Sequence, residues 1–266
     1  MALPRPRLSR SRWSSAALAG ALLFWVGGQA GAAEPKRSGF DDMSAETQAM
    51  QTDDFSNPGM LAAGDGEALW NGKPAGGGKS CAACHGDAAT SMKGVAARYP
   101  VFDEQTRRPI DLASRIRRCN ASRPGAPDLA HESRDLIALT TYVGLQSRGL
   151  PTAPDPDPRL APFRAQGEAL FRRRIGQLNL SCASCHDERA GGRLAGALIP
   201  QGHPNGYPLY RLEWQSMGDL QRRLRNCMTG VRAEAFAPGA PEFVELELYL
   251  QSRAAPLPVE TPAVRP

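Results

Sequence analysis

The stretch CAACH at Cys81–His85 recurs as CASCH at Cys182–His186, so the pattern Cys-x-x-Cys-His occurs twice in the chain. It is the attachment signature of c-type haem, in which two thiols add to the porphyrin vinyl groups and the histidine ligates the iron. A four-cysteine zinc site is the alternative, but the histidine after each pair and the 97 positions between His85 and Cys182 argue against it. We therefore expect two covalently bound haem c groups, attached at Cys81, Cys84, Cys182 and Cys185, with axial ligands His85 and His186.

The two halves of the chain also resemble each other outside these motifs. GEALW at residues 66–70 matches GEALF at residues 167–171 with an offset of 101, which is also the offset of the two haem motifs. Further along, LASRIRRCN at residues 112–120 matches LQRRLRNCM at residues 220–228 with an offset of 108. A repeat of about 100 residues is typical of tandem domains rather than of a solenoid.

Each half is expected to hold a helix at GEAL, a helix that carries a cysteine, and a C-terminal helix that ends near the tetrapeptide LQSR. LQSR occurs at residues 145–148 and 250–253, with an offset of 105. Apolar residues at three-to-four spacing predict that the C-terminal helix packs on the first one. They are Leu136, Leu139, Tyr142 and Val143 in one half, and Phe243, Leu246, Tyr249 and Leu250 in the other. The predicted fold class is mainly α, with two tandem cytochrome c-like domains and extensive loops.

Changes in composition along the chain suggest domain boundaries. Four prolines fall within residues 151–158, which favours a stiff extended linker. A polar segment without clear periodicity precedes the first GEAL; we expect it either to wrap the other domain or to be disordered. The predicted organisation is a signal peptide (1–32), an N-terminal arm (33–58), domain 1 with the first haem (59–150), a Pro-rich linker (151–161), domain 2 with the second haem and the active site (162–255), and a C-terminal tail (256–266).

The N-terminus has the pattern of a secretory signal peptide. Arg5, Arg7, Arg10 and Arg12 precede an apolar run at residues 16–26, and AGA at residues 30–32 forms a small-x-small cleavage site. Cleavage and export to the periplasm suit covalent haem attachment. Removal of four arginines lowers the formal net charge from +5 to about +1, which disfavours nucleic-acid binding. No second long apolar run follows, so we expect no stable membrane insertion.

Cys119 and Cys227 are the two cysteines left over, and they fall at equivalent positions of the repeat. They could form a disulfide between the halves, remain as inert buried thiols, or each serve as the distal axial ligand of its own haem. We favour distal ligation, because arginines precede both cysteines and a positive surrounding favours the thiolate. On a helix, Arg115 and Arg223 would each lie one turn before their cysteine.

Methionine or histidine could still occupy the distal position. The candidates are Met92, Met217, Met228, His131 and His203. None of them has a counterpart at the equivalent position of the other half, which weakens each candidate relative to the paired cysteines.

The two Cys-x-x-Cys-His sites, one further cysteine in each half and the Arg-x-x-x-Cys segments together resemble the SoxA family, whose members are dihaem subunits of the SoxAX cytochrome complex. The resemblance implies an L-cysteine S-thiosulfotransferase that couples thiosulfate oxidatively to a cysteine of the carrier SoxYZ. It implies the monohaem cytochrome SoxX as partner and an electron-acceptor cytochrome. It assigns Cys227 as the catalytic residue with a persulfide intermediate, Arg223 as the substrate-binding residue, and Cys119 and Cys227 as axial ligands of haem 1 and haem 2.

Two other functions remain compatible with the residues. One is a dihaem electron-transfer cytochrome without a substrate of its own, and the other is a thiosulfate dehydrogenase that forms tetrathionate. Because Arg115 and Arg223 have the same spacing to their cysteines, local spacing does not select the active half; only the resemblance does.

Overall fold

A computed structural model describes residues 1–4 and 35–266, so most of the predicted signal peptide lies outside the described residues. Residues Lys36–Pro266 form one compact unit. Its helices are α1 (Ala45–Thr52), α2 (Gly59–Asn71), α3 (Cys81–His85), α4 (Ala88–Ser91), α5 (Leu112–Ala121), α6 (Arg134–Leu145), α7 (Ala161–Arg172), α8 (Cys182–His186), α9 (Leu220–Gly230) and α10 (Pro241–Ala254). Its strands are β1 (Val101–Asp103), β2 (Arg108–Ile110), β3 (Arg193–Leu194), β4 (Ala197–Leu198), β5 (Leu209–Arg211), β6 (Ser216–Gly218) and β7 (Ala263–Arg265). Short 3₁₀ helices span Ala96–Arg98 and Pro158–Leu160.

The glycine of each GEAL segment is the point where the first and last helices of its half cross. A Cβ atom on Gly66 of α2 would lie 2.1 Å from the carbonyl oxygen of Ala138 in α6. On Gly167 of α7 it would lie 2.0 Å from the carbonyl oxygen of Glu245 in α10. Only glycine allows backbones to approach this closely, so the repeated glycine is a packing requirement of both halves.

The predicted packing of the C-terminal helices is confirmed. Leu136, Leu139 and Val143 pack with Trp70 in one core, and Leu246, Tyr249 and Leu250 pack with Phe171 in the other. Phe243 is fully buried, and its ring meets the Phe236 ring edge-on at 5.5 Å.

The tetrapeptide LQSR is not structurally equivalent in the two halves. The rings of Trp70 and Tyr142 lie 6.1 Å apart, and those of Phe171 and Tyr249 lie 5.4 Å apart. These pairs, like the glycine crossings, relate α6 to α10 by an offset of 107 residues. The packing of this helix therefore follows the offset of 107 that relates the two predicted apolar sets, and not the offset of 105 at which LQSR recurs, because contact with the first helix sets the register.

A β-hairpin precedes each cysteine-bearing helix and has the same register in both halves. Val101 pairs with Ile110 and Asp103 with Arg108, while Leu209 pairs with Gly218 and Arg211 with Ser216. All four pairs are related by the offset of 108 found in the sequence.

The helices that follow these hairpins also begin in the same way. Asp111 caps α5 by accepting a hydrogen bond from the backbone of Ser114, and Asp219 caps α9 by accepting one from Arg222. Cys119 and Cys227 therefore occupy equivalent positions relative to the hairpin and to the start of the helix in their own halves. The seven extra residues of the second half fall before the second hairpin, in the region that contains β3 and β4.

The predicted arm and tail pack on each other and on the second half. Strand β7 pairs in parallel with β5, and both Ala263 and Val264 are fully buried. Gln51 of α1 accepts a hydrogen bond from the backbone of Val264 at 3.0 Å, and Asn57 donates one to the carbonyl of Pro262 at 2.9 Å. Of the two expectations for the arm, wrapping is therefore observed, and the segment called a tail contains an edge strand of the three-stranded sheet β6–β5–β7.

In the part of the chain that the structure describes, no helix combines the length and hydropathy needed to cross a membrane.

Candidate functional site

The second Cys-x-x-Cys-His motif forms α8, and its histidine is held in a defined orientation. Ser181 and Ser184 form a capping box at the start of the helix. The Nδ1 atom of His186 donates a hydrogen bond to the carbonyl oxygen of Pro200 at 2.8 Å. Since Nδ1 is engaged, Nε2 is the atom left to ligate a metal. Gly202 lies directly behind the ring, where a Cβ atom would come within 2.9 Å of Cγ of His186.

Cys227 on α9 faces this histidine. Burial opposes ionisation of the thiol, but a hydrogen bond from His186 and the positive charge of Arg223 outweigh it, so the pKa of Cys227 lies below its ordinary value. The pKa of Cys182 is raised to about 11, by burial first and by the neighbouring Cys227 second. The structure therefore brings Cys182, His186, Arg223 and Cys227 together, and at this site it favours the thiolate on Cys227 rather than on Cys182.

Arg223 lies one helical turn before Cys227, as the spacing predicted. Its guanidinium has no hydrogen-bond or ion-pair partner within residues 35–266. It acts electrostatically on Cys227 and on the buried Tyr207, whose pKa burial raises to about 12. A half-buried guanidinium that forms no ion pair within residues 35–266 is suited to bind an oxyanion.

The other arginines near Cys227 have protein partners. Arg225 is bound by both carboxylate oxygens of Glu132 at 2.5 Å, which ties α9 to the first half. Arg222 stacks on the Trp214 ring at 4.2 Å and donates to the carbonyl of Met217. The arginines near Cys227 therefore do not form one uniform cationic surface. Arg222 and Arg225 bind protein groups, whereas the guanidinium of Arg223 has no such partner within residues 35–266.

The first Cys-x-x-Cys-His motif forms α3 and is more open. His85 and Cys84 are exposed, and the His85 ring centroid lies 5.7 Å from that of Trp70. Cys119 of α5 is exposed and lies near Cys81, whose pKa is raised by burial. Arg123 donates to Sγ of Cys81 at 3.5 Å. The structure thus brings Cys81 and Cys119 together, as it does Cys182 and Cys227.

Arg115, the counterpart of Arg223, has a carboxylate partner. Asp103 accepts hydrogen bonds from Arg115 at 3.1 Å and from Arg118 at 2.7 Å, and its side chain is only 3% exposed. The sequence alone does not single out Asp103, because its contact with Arg115 depends on the hairpin that lies between them. The only sequence signal for this contact was that Asp103 and Arg115 carry opposite charges.

The donor sets fit covalently attached haem. All six cysteines belong to the described residues and none forms a disulfide, so the thiols of both Cys-x-x-Cys-His motifs remain available for thioether bonds. The disulfide between Cys119 and Cys227 is not formed. Each half also places a further cysteine beside its motif, and His186 has the fixed tautomer that an axial ligand needs.

The other candidate distal ligands lie in varied surroundings. Met92 packs against the first core, Met217 lies on β6, and Met228 is buried next to Cys227. His131 forms a hydrogen bond with Arg117, and His203 forms one with Gln201 at 3.2 Å. Burial lowers the pKa of His203 to about 4.

Comparison with known proteins gives one consistent family. The model of the SoxA/TsdA cytochrome c domain matches residues 65–152 and again residues 166–259. The chain is 40% identical over 242 residues to the L-cysteine S-thiosulfotransferase subunit SoxA of Pseudaminobacter salicylatoxidans, covering 88% of this chain and 85% of that protein. It is 37% identical over 229 residues to the protein of the same name from Rhodovulum sulfidophilum, covering 86% and 80%.

A solved structure has the same fold. The chain superposes on the crystal structure of SoxXA from P. pantotrophus with a TM-score of 0.83 and 34% identity, over 87% of each chain. Together with the repeated domain match, this similarity confirms the predicted fold class of two cytochrome c-like domains.

Proposed function

The chain belongs to the SoxA/TsdA cytochrome c domain family, and we propose that it works as the SoxA-type subunit of an L-cysteine S-thiosulfotransferase. It is a c-type cytochrome that binds haem. The enzyme couples thiosulfate to a cysteine thiolate of a carrier protein, forming a sulfur–sulfur bond and releasing two electrons. The carrier thiolate and the thiosulfate dianion bring three negative charges; the product keeps one, and the two electrons account for the others.

We propose two haems, one in each half. Cys81 and Cys84 would hold the first and Cys182 and Cys185 the second, with His85 and Cys119, and His186 and Cys227, as the axial pairs. When bound, the haem supplies an electron acceptor beside the reacting sulfur. The matched positions of the two cysteine-bearing helices support this arrangement.

The proposed catalytic residue is Cys227, which would carry an extra sulfur as a persulfide, while the group joined to the carrier is the whole thiosulfate. The positive charges of Arg223 and Arg211 near Cys227 favour the thiolate, the nucleophilic form of the sulfur. Arg223 would bind the sulfonate end of thiosulfate through its planar fork of donors.

One observation supports placing the active site in the second half rather than in the first. Arg223 has no carboxylate partner among the described residues, whereas its counterpart Arg115 is paired with Asp103 at 3.1 Å. A dianion would have to displace that carboxylate from Arg115, but it can approach Arg223 directly. The pairing thus supports an active site at Cys227 and a site at Cys119 that serves electron transfer.

The partners follow from the same assignment. A monohaem SoxX-type cytochrome is the expected subunit partner, and a SoxYZ-type protein is the expected carrier. A further cytochrome would accept the electrons. The periplasm is the proposed location, because covalent haem attachment and a carrier thiol belong in the exported compartment.

Matched substitutions of the two cysteines test this function. In the complex with its monohaem partner, Cys227→Ala should abolish thiosulfate-dependent loading of the carrier, measured as an added mass on the carrier. Cys119→Ala should keep measurable loading, because that residue would ligate only the first haem. Normal loading in Cys227→Ala would refute the assignment. Electron release from thiosulfate without carrier would instead support a tetrathionate-forming dehydrogenase.

A further inference from the structure

The two hairpins that precede α5 and α9 are structurally equivalent, so a residue of one can be compared with its counterpart in the other. Asp103 ends β1 and Arg211 ends β5, and each pairs with the first residue of the following strand. The turns are also alike, since Arg107 and Gln215 have left-handed backbones with φ of 56° and 48°. Asp103 and Arg211 therefore occupy the same place relative to the cysteine-bearing helix.

The first half shows where a side chain at this position points. Asp103 reaches across to α5, where it contacts both Arg115 and Arg118, and it also accepts a hydrogen bond from the hydroxyl of Thr106. Two guanidinium groups are thus neutralised by one buried carboxylate. The counterpart of Arg115 is Arg223, so the residue at position 211 is directed towards Arg223.

In the second half this position carries the opposite charge. Arg211 is mostly buried, with 18% of its side chain exposed, and it stacks near the Trp214 ring at 5.5 Å. Its Nε atom donates to Glu213 at 2.8 Å, while neither Nη atom forms a hydrogen bond within residues 35–266. Glu213 is 61% exposed, so Arg211 is far less completely neutralised than Arg115.

Other electrostatic interactions show that these groups lie near one another. Arg211 and Arg223 both act on Cys227, and both act on the carboxylate of Glu213. Two guanidinium groups that face one thiolate repel each other unless an anion lies between them. The exposed Glu213 supplies part of that negative charge when no substrate is bound.

We propose that Arg211 is a second anion-binding residue, which together with Arg223 holds the sulfonate of thiosulfate beside Cys227, and that Asp103 closes the equivalent site at Cys119 to anions. The inference rests on the proposed function and deepens it. The free Nη atoms of Arg211 would meet sulfonate oxygens, Glu213 would remain on Nε, and the outer sulfur would face Cys227. Sulfate and sulfite share the oxyanion chemistry and would compete for the same donors.

Equilibrium binding without turnover tests the proposal directly. Thiosulfate is titrated calorimetrically into the haem-loaded complex under anaerobic conditions, without carrier or electron acceptor. Arg211→Gln should weaken binding by about tenfold or more, because a charge-assisted hydrogen-bonding group is lost. Arg211→Asp should weaken it further, because it places at this hairpin position the negative charge that Asp103 carries in the first half.

A matched control separates a local effect from a change in net charge. Arg193→Gln removes the same charge from the exposed hairpin β3–β4, where the guanidinium bonds only to the carbonyl of Gly196. This variant should bind thiosulfate like the wild type. In the carrier-loading assay, Arg211→Gln should raise the KM for thiosulfate by a similar factor and change kcat little, and Arg211→Lys should recover part of the affinity.

The outcomes separate this inference from the proposed function. If the wild type binds thiosulfate and loads the carrier while Arg211→Gln and Arg211→Asp bind as tightly, the second anion-binding residue is refuted and the function stands. Equal weakening by Arg193→Gln would also refute it, since the effect would then be net charge. If the wild-type complex neither binds thiosulfate nor loads the carrier, both the function and the inference fail.

Discussion

The Nδ1 atom of His186 lies 2.8 Å from the carbonyl oxygen of Pro200, 14 residues further along the chain. This contact fixes the tautomer and the plane of the imidazole, and Gly202 supports the ring from behind. The orientation of the ligand therefore depends on a loop outside the Cys-x-x-Cys-His motif.

Gly202→Ala should disturb this ligand. The new Cβ would lie 2.9 Å from the ring, and the backbone at φ of 74° disfavours any side chain. We expect shifted or lost low-spin signals of the second haem in the electron paramagnetic resonance spectrum of the oxidised protein. Gly86→Ala is the control, because φ is 69° there and nothing lies within 4 Å of the new Cβ. It also places an alanine at a positive φ and should leave the spectrum of the second haem unchanged.

Alanine at the helix crossings should destabilise both halves. In Gly66→Ala and Gly167→Ala the new Cβ meets a backbone carbonyl at 2.1 Å and 2.0 Å, so the helices must separate. We expect a loss of about 3 kcal/mol in the free energy of unfolding. Gly64→Ala lies in the same α2 helix with nothing within 4 Å and should stabilise it by about 0.5–1 kcal/mol. Denaturant titration followed by circular dichroism measures all three, and equal effects at residues 64 and 66 would contradict the crossing.

Asp219 should make stability fall as the pH rises. Burial raises the pKa of this helix-capping carboxyl from 3.8 to about 6, so the folded protein holds a proton that the unfolded chain releases. The stability from this group is complete below pH 3.8 and is lost as the pH rises through 6. The whole change is about 3 kcal/mol. Asp219→Asn keeps a capping side chain and should flatten the profile between pH 4 and 7, as measured by unfolding at several pH values.

Asp103 should have the opposite pH dependence. Burial opposes its ionisation, but hydrogen bonds from Arg118 and Thr106 outweigh it and hold the pKa of Asp103 well below its usual range. Its contribution is present above the ordinary value of 3.8 and is lost as the pH falls towards the lowered pKa. Asp103→Asn should cost about 3 kcal/mol at neutral pH, since it leaves Arg115 and Arg118 without a carboxylate. Glu213→Gln removes an exposed carboxylate and should cost less than about 1 kcal/mol; a similar cost for both would contradict the buried role of Asp103.

The helices and cores could be predicted because their signals are local. The apolar spacing of Leu136 and Leu139 identified the buried face of α6, and the arginine–cysteine segments became the helices α5 and α9. The register of α10 could not be read from LQSR, because contact with α7 decides it. The burial of Val264 was also missed, since the tail becomes a strand only by pairing with β5.

By itself, the sequence predicted the chemistry of haem attachment and revealed the duplication. The spacing within Cys81–His85 and Cys182–His186 is a property of a single helical turn, and Cys119 and Cys227 follow at matched positions. Only the tertiary structure distinguished the two sites. Arg115 and Arg223 have identical local spacing, but a hairpin folds Asp103 onto Arg115, and the matching position of the second hairpin carries Arg211 instead. The charge that an anion meets at each cysteine depends on residues distant in the chain, and the fold brings those residues to the site.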